Sequence, residues 1–173
     1  LLVLRSGANR WSALVEAKVG GSDLDSGQIE AYLELAKANG IDALLTISNQ
    51  FAPIPSHHPV QVAAASLRKA SLSHFSWMYV LTQATLQLQG DDVSDREQRV
   101  ILNELVRFLS HPSAGVKGFD QMPAAWTNVA NAVQAGGTLA ARSNDVQEVV
   151  GAWHQETRDL SLVLSRQLGE EVA

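Results

Sequence analysis

Between Trp11 and Asn49 the apolar pattern changes period twice, and that succession leaves few folds open. Trp11 to Val19 reads Trp-Ser-Ala-Leu-Val-Glu-Ala-Lys-Val. Side chains alternate across a strand, so Ser12, Leu14, Glu16 and Lys18 share one face. Trp11, Ala13, Val15, Ala17 and Val19 share the other, which is wholly apolar. Gly20 and Gly21 end this strand, and Ser22 to Gly27 has the composition of a turn and helix cap. From Gln28 the period becomes helical: Ile29, Tyr32, Leu33 and Ala36 stand at i, i+3, i+4 and i+7, an apolar stripe suited to packing on a sheet. Gly40 occupies a C-cap position. Ile41 to Asn49 then reads as a short, largely buried strand. Strand, helix and strand in about 40 residues form a βαβ unit, whose crossover makes the two strands parallel.

The unusual element is the charged end of the first of these strands. Glu16 and Lys18 point the same way at the end of an otherwise apolar segment. Charges in such a place raise the free energy unless they are paired, hydrogen-bonded or bound to a metal. Charged ends also discourage edge-to-edge pairing of strands, a purely structural use.

A strand ending in Glu-x-Lys, then a loop, then a helix opening with Gln resembles the core of the PD-(D/E)XK nuclease superfamily. Gln28 and Tyr32 add a second likeness, since Gln-x-x-x-Tyr is similar to the helix motif of RecB-type nuclease domains. Residues four apart lie on one helix face, separated by about 6 Å of rise. The helix start would therefore turn Gln28 toward the strand end that carries Glu16 and Lys18. The resemblance spans roughly residues 1 to 51. It implies a restriction-endonuclease-like core with a catalytic set of Glu16, Lys18, Gln28 and Tyr32.

Phosphodiester hydrolysis needs an activated water, neutralisation of phosphate charge, and help for the leaving oxygen. A carboxylate holding a divalent cation meets the first two needs. The resemblance makes Glu16 the metal ligand, with the backbone carbonyl of Ala17 as a second oxygen. Mg²⁺, or Mn²⁺ in its place, suits such oxygen ligands, since it keeps several waters and takes one or two carboxylates plus substrate phosphate. Lys18 would orient the attacking water or stabilise developing negative charge. Gln28 would hydrogen-bond the water or a phosphate oxygen.

The family pattern also places an Asp on the preceding strand. Between Leu1 and Val15 there is no Asp or Glu. The chain begins with Leu, in what reads as a strand already under way, so the expectation is an N-terminally truncated core with its second carboxylate upstream. The alternative is a catalytically inactive nuclease-like fold that serves as a protein-interaction module.

Composition narrows the rest. With 173 residues, 46% of them apolar and 18% charged, the chain reads as an ordinary soluble globular protein large enough for a real core. No apolar run reaches transmembrane length, and no signal peptide is recognisable. The absence of cysteine excludes disulfides and thiolate metal sites, and fits a cytoplasmic protein. The net charge of −5 argues against a broadly basic nucleic-acid surface. Residues 1–90 nevertheless carry six bases against six acids, while residues 91–173 carry seven against twelve. The neutral first half can hold a local basic patch from Arg5, Arg10, Lys18, Arg68 and Lys69. The expected partner is nucleic acid, DNA before RNA, with modest and salt-dependent affinity.

Two regions complete the reading. Phe51 to Pro59, with three prolines and two histidines, is an ordered loop whose His57 and His58 are solvated rather than metal-bound. Leu67 to Phe75 is a further strand, followed by a helix from Ser76 through Gln89 in which Trp77 is a core residue. Beyond it the chain is helical. A Ser94-x-x-Glu97 capping box opens a helix with Ile101, Leu105, Phe108 and Leu109 as its buried stripe. Pro123 opens another, with Trp126, Val129, Ala130 and Val133 inward. Ser143 or Asn144 caps the last, whose long stripe is Val146, Val149, Val150, Trp153, Thr157, Leu160, Val163, Leu164 and Leu168. That stripe can cover its own domain, or take a second copy or a protein partner. The expected architecture is α/β: a small mixed β-sheet flanked by helices over residues 1–90, and an all-helical extension over 91–173 packed on it.

Overall fold

The computed structural model describes residues 1–68, 70–90 and 93–172. Strands β1 (Leu2–Ser6) and β2 (Asn9–Ala17) form an antiparallel hairpin with Leu2 opposite Ala13 and Ser6 opposite Asn9. Gly7 turns it with φ +59°, a left-handed conformation that a side chain would resist. Helix α1 (Ser26–Ala38) then carries the chain over to β3 (Ala43–Ser48), which lies parallel to β2. Strand β4 (Ser71–Ser76) adds parallel to β3, giving a mixed sheet in the order β1-β2-β3-β4. The neighbouring first three strands and the parallel crossover are as the periodicity requires. The fourth strand starts at Ser71 rather than Leu67, because Ser66–Arg68 winds into a turn of 3-10 helix first.

Helix α1 is started by Asp25, whose side chain accepts from the Gln28 N–H at 2.8 Å. Its buried residues Ile29, Leu33 and Ala36 meet Leu44, with Leu14, Ile41, Tyr32 and Leu72 packed around them. Leu14, Leu44 and Leu72 are register partners across β2, β3 and β4, so they form one row on one face. The α1 stripe therefore covers the sheet face of Ser12, Leu14 and Glu16. Each large apolar side chain buried there stabilises the fold by about 1.5–3 kcal/mol. On the opposite face of β2, Val15 and Ala17 are exposed. The face that carries the charges is thus the inner one.

The remaining described residues are helical, with no strand after Gln89 among them. Helix α2 (Trp77–Gln89) is capped by Ser76, and α3 (Arg96–Leu109) by Asp95 rather than Ser94, the Asp95 side chain accepting from Gln98 N–H at 2.8 Å. Asp has the advantage of a full negative charge at the positive helix end. Helices α4 (Ala125–Gln134) and α5 (Asn144–Leu168) follow, α5 capped by Ser143. The chain divides into two compact units, Leu1–Lys117 and Gly118–Ala173. The first holds the sheet with α1, α2 and α3, since α3 packs on α2 beyond the expected boundary at residue 90. The second pairs α4 with α5.

The apolar stripes of the later helices are less buried than their periodicity suggests. On α3, Ile101 and Phe108 are 66% and 59% exposed, while Leu109 is buried and Leu102 and Leu105 face a groove against Val80 and Ala84 of α2. On α4, Trp126 and Val133 are exposed and Ala125 is buried. On α5, Val149, Ser161, Leu162 and Ser165 are buried, whereas Val150, Trp153, Leu160, Leu164 and Leu168 are exposed. On α5, the segment that follows the helix covers one face. Ser161 Oγ donates to the Val172 carbonyl at 2.5 Å, and Val172 N–H donates to Ser165 Oγ at 2.9 Å. The tail returns over two serines, so that face is covered although it is not the most apolar one.

Candidate active site

Glu16 stands next to last in β2 and Lys18 one residue beyond its end. Their side chains form an ion pair, Lys18 Nζ to Glu16 Oε1 at 2.9 Å, with the lysine side chain 24% and the glutamate side chain 18% exposed. The pair sits at the carboxyl end of a parallel strand, the edge where open α/β sheets bind ligands. The backbone of Lys18 is held on both sides: its N–H donates to the Ile47 carbonyl at 2.8 Å, and its carbonyl accepts from Trp77 Nε1 at 2.7 Å. Trp77, read from sequence as a core residue, thus also fixes the strand end through its ring N–H. Ala17, between the two charges, is exposed and pairs with Ile47.

Gln28 occupies the first turn of α1, and its Nε2 donates to Tyr32 Oη at 3.0 Å. The Tyr32 ring packs against the core beneath. Two pairs therefore lie on the α1 side of the sheet, Glu16 with Lys18 and Gln28 with Tyr32. Among the described residues no hydrogen bond or ion pair joins one pair to the other.

Several residues that organise this edge carry no sequence motif. Asn49 follows β3; its Nδ2 donates to the carbonyls of Gly20 (2.8 Å) and Gly115 (2.7 Å), and its Oδ1 accepts from Lys117 N–H at 3.0 Å. It clips the β2–α1 loop to the segment after α3. That approach is close: a Cβ on Gly115 would lie 3.2 Å from the Gly20 Cα. Thr46, the register partner of Glu16, is bound by two histidines, His74 of β4 and His58 of the loop. His58 is therefore half-buried and structural, not solvated, while His57 is exposed as expected. Nothing in a Thr or a loop His signals such long-range partners; an Asn directly after a strand is the one cue, since it favours turns.

The expected basic patch does not form as one surface. Arg5 and Arg10 are register partners at the hairpin end of the sheet, and Arg10 is eight residues, roughly 26 Å of strand, from Lys18. Lys69 lies outside the described residues.

For a divalent cation, the donors here are the Glu16 carboxylate and the Ala17 carbonyl. Among the described residues no three His, Asp or Glu side chains cluster as a metal cage. One carboxylate and one carbonyl fit a hydrated Mg²⁺ that draws its other oxygens from water and phosphate; they do not fit a closed protein site. No helix among the described residues is long and apolar enough to cross a membrane.

No family model, curated protein or solved structure matches this chain. What is shown is a small four-stranded mixed α/β sheet with helices, carrying an inward-facing Glu–Lys pair at its parallel edge.

Proposed function

We propose that this chain is the core of a metal-dependent nuclease that hydrolyses phosphodiester bonds, in DNA before RNA. The observation that carries the reading is the Glu16–Lys18 ion pair on the α1 side of the sheet, at the carboxyl end of a parallel strand. Glu16 and the Ala17 carbonyl would hold Mg²⁺ or Mn²⁺, which supplies water activation and polarisation of a phosphoryl oxygen. With the cation held, Glu16 would be its charge partner, and the Lys18 ammonium would face the phosphate or the attacking water. The Trp77 and Ile47 hydrogen bonds keep the Lys18 backbone in place while its side chain exchanges partners. That exchange would be complete once the cation is held, so the ammonium would not have to reorganise during the reaction itself. Gln28, held by Tyr32, offers an amide to a phosphate oxygen or the water.

A second reading has its own support. The exposed stripe of Val150, Trp153, Leu160 and Leu164 on α5, and Ile101 with Phe108 on α3, suit a nuclease-like fold used as a protein-interaction module. The two are separated by incubating the natural full-length protein with single- and double-stranded DNA and RNA, with Mg²⁺, with Mn²⁺ and with chelator. Metal-dependent fragments support the nuclease; no cutting under any metal removes it and leaves the module.

A further inference from the structure

The sheet face under α1 carries a buried histidine, His74, and beside it the half-buried His58 of the loop, neither of which the proposed chemistry uses. His74 is 2% exposed, and its Nε2 lies 2.9 Å from the Gln50 carbonyl. A carbonyl can only accept, so this nitrogen carries a proton. In the neutral ring Nδ1 is then an acceptor, and the Thr46 hydroxyl at 2.9 Å donates to it. The Thr46 oxygen in turn accepts from His58 Nε2, also at 2.9 Å. His58 Nδ1 is left to accept from Val60 N–H at 3.2 Å. With both rings neutral, every proton in the chain has one place, assigned by its partners.

An added proton breaks this order. On His74 Nδ1 it ends the bond from Thr46 and turns that hydroxyl toward His58 or the more distant Ser73 carbonyl at 3.4 Å. If His58 then accepts, its own hydrogen moves to Nδ1, which can donate to the Val60 carbonyl at 3.1 Å while Val60 N–H loses its acceptor. Protons on both rings set two cations with centroids 5.6 Å apart, both aimed at one hydroxyl.

The chain ties several segments down. His74 N–H donates to the Pro55 carbonyl at 2.8 Å. Gln50, bound by His74, accepts from Leu24 N–H at 2.8 Å through Oε1, and Leu24 precedes the N-cap of α1. The elements packed around the cluster carry these charged and titratable groups. Strand β2 brings Glu16, paired with Lys18; α1 brings Tyr32 and Glu30, whose carboxylate accepts from Ala63 N–H; the loop adds His57. Burial is the main cause lowering the proton affinity of His58 and His74; their carbonyl contacts offset it, and His58 lowers His74 further.

We infer that the His58–Thr46–His74 chain is an acid-released latch, which holds residues 49–60 and, through Gln50, the start of α1 against the sheet until its histidines take up protons. The latch does not rest on the nuclease reading. Both histidines favour the neutral form when folded. Latch stability is therefore full above their ordinary value, about 6.5, and is lost as the pH falls below it and through the lowered folded values.

The test is amide hydrogen exchange, corrected for intrinsic rate, between about pH 7.5 and 5, with NMR titration of the histidine ring protons. In the wild-type protein the Leu24 and Val60 amides should gain exchange by about tenfold per proton-linked pH unit, while the β2–β3 ladder stays protected. In the His58→Gln/His74→Gln double variant this gain should vanish. A gain that persists in the double variant, or no gain in the wild type, overturns the latch. Should the variant not fold, the wild type alone decides: both rings must titrate below their ordinary value, with the gain in exchange falling between that value and the ring midpoints, and titration at or above that value overturns the latch. Cleavage plays no part in this readout, so loss of the nuclease reading leaves the result intact.

Discussion

Gln28 Nε2 donates to Tyr32 Oη at 3.0 Å across one turn of α1, while the Tyr32 ring lies against the core. The apolar body of the tyrosine anchors the helix, and its hydroxyl steadies an amide at the helix start. Core and candidate site thus share one residue, which makes their contributions separable by removing only the oxygen.

Tyr32→Phe should keep the packing and lose the hydrogen bond. The expected loss of stability is small, about 0.5–1.5 kcal/mol, read from urea unfolding. If the nuclease reading holds, cleavage should fall by more than that stability change explains, because Gln28 becomes mobile. Unchanged cleavage would remove Gln28 and Tyr32 from the site.

The Glu16–Lys18 pair should show coupling in a double-mutant cycle. Both side chains are mostly withdrawn from water, so Lys18→Met leaves a carboxylate without its partner and Glu16→Gln leaves an ammonium. Each single change should destabilise by about 1–3 kcal/mol, with the double variant less destabilised than their sum. Additive effects would mean the pair is solvated and contributes little, as surface pairs do.

Asn49→Ala removes three hydrogen bonds that join Gly20, Gly115 and Lys117. A loss of about 1–3 kcal/mol is expected, with faster proteolysis between Ser113 and Lys117. Asn49→Asp should be no better, since it sets an oxygen against the Gly20 and Gly115 carbonyls. Wild-type protease resistance in Asn49→Ala would show that the clip is dispensable.

Leu33, fully buried at the centre of the α1 face, sets the core's sensitivity. Leu33→Ala should cost about 2–5 kcal/mol in urea unfolding, whereas Leu35→Ala, on the exposed side of the same helix, should stay within about 0.5 kcal/mol.

The βαβ unit was legible because Leu14, Ile29, Leu33 and Leu44 fall at positions where period alone decides the face. The Glu16–Lys18 pairing was legible for a related reason: strand alternation, carried one residue past the end of β2, keeps Lys18 on the side of Glu16. The stripes of α3, α4 and α5 were not, since exposure depends on what the rest of the chain lays over them. Ser161 and Ser165 are covered because the tail returns over them, while Trp153 and Leu160 on the same helix remain exposed. The Thr46 cluster was hidden for a related reason. His58, Thr46 and His74 are brought together by strand order and a loop, and no local spacing records that. Asp95 displaced Ser94 as a cap because adjacent good caps differ by only tenths of a kcal/mol, about the size of a charge–dipole contribution.

The most direct measurement compares Mg²⁺- and Mn²⁺-dependent cleavage of DNA and RNA by the natural full-length protein and by its Glu16→Gln variant at matched folded concentration. Glu16 is the side-chain ligand proposed for the cation among the residues of this chain, and Gln keeps its shape while removing its charge. Metal-dependent cutting by the wild type, reduced by at least about 100-fold in Glu16→Gln with circular dichroism unchanged, is the expected result. Equal cutting by both proteins would contradict the assignment of the active site to the end of β2.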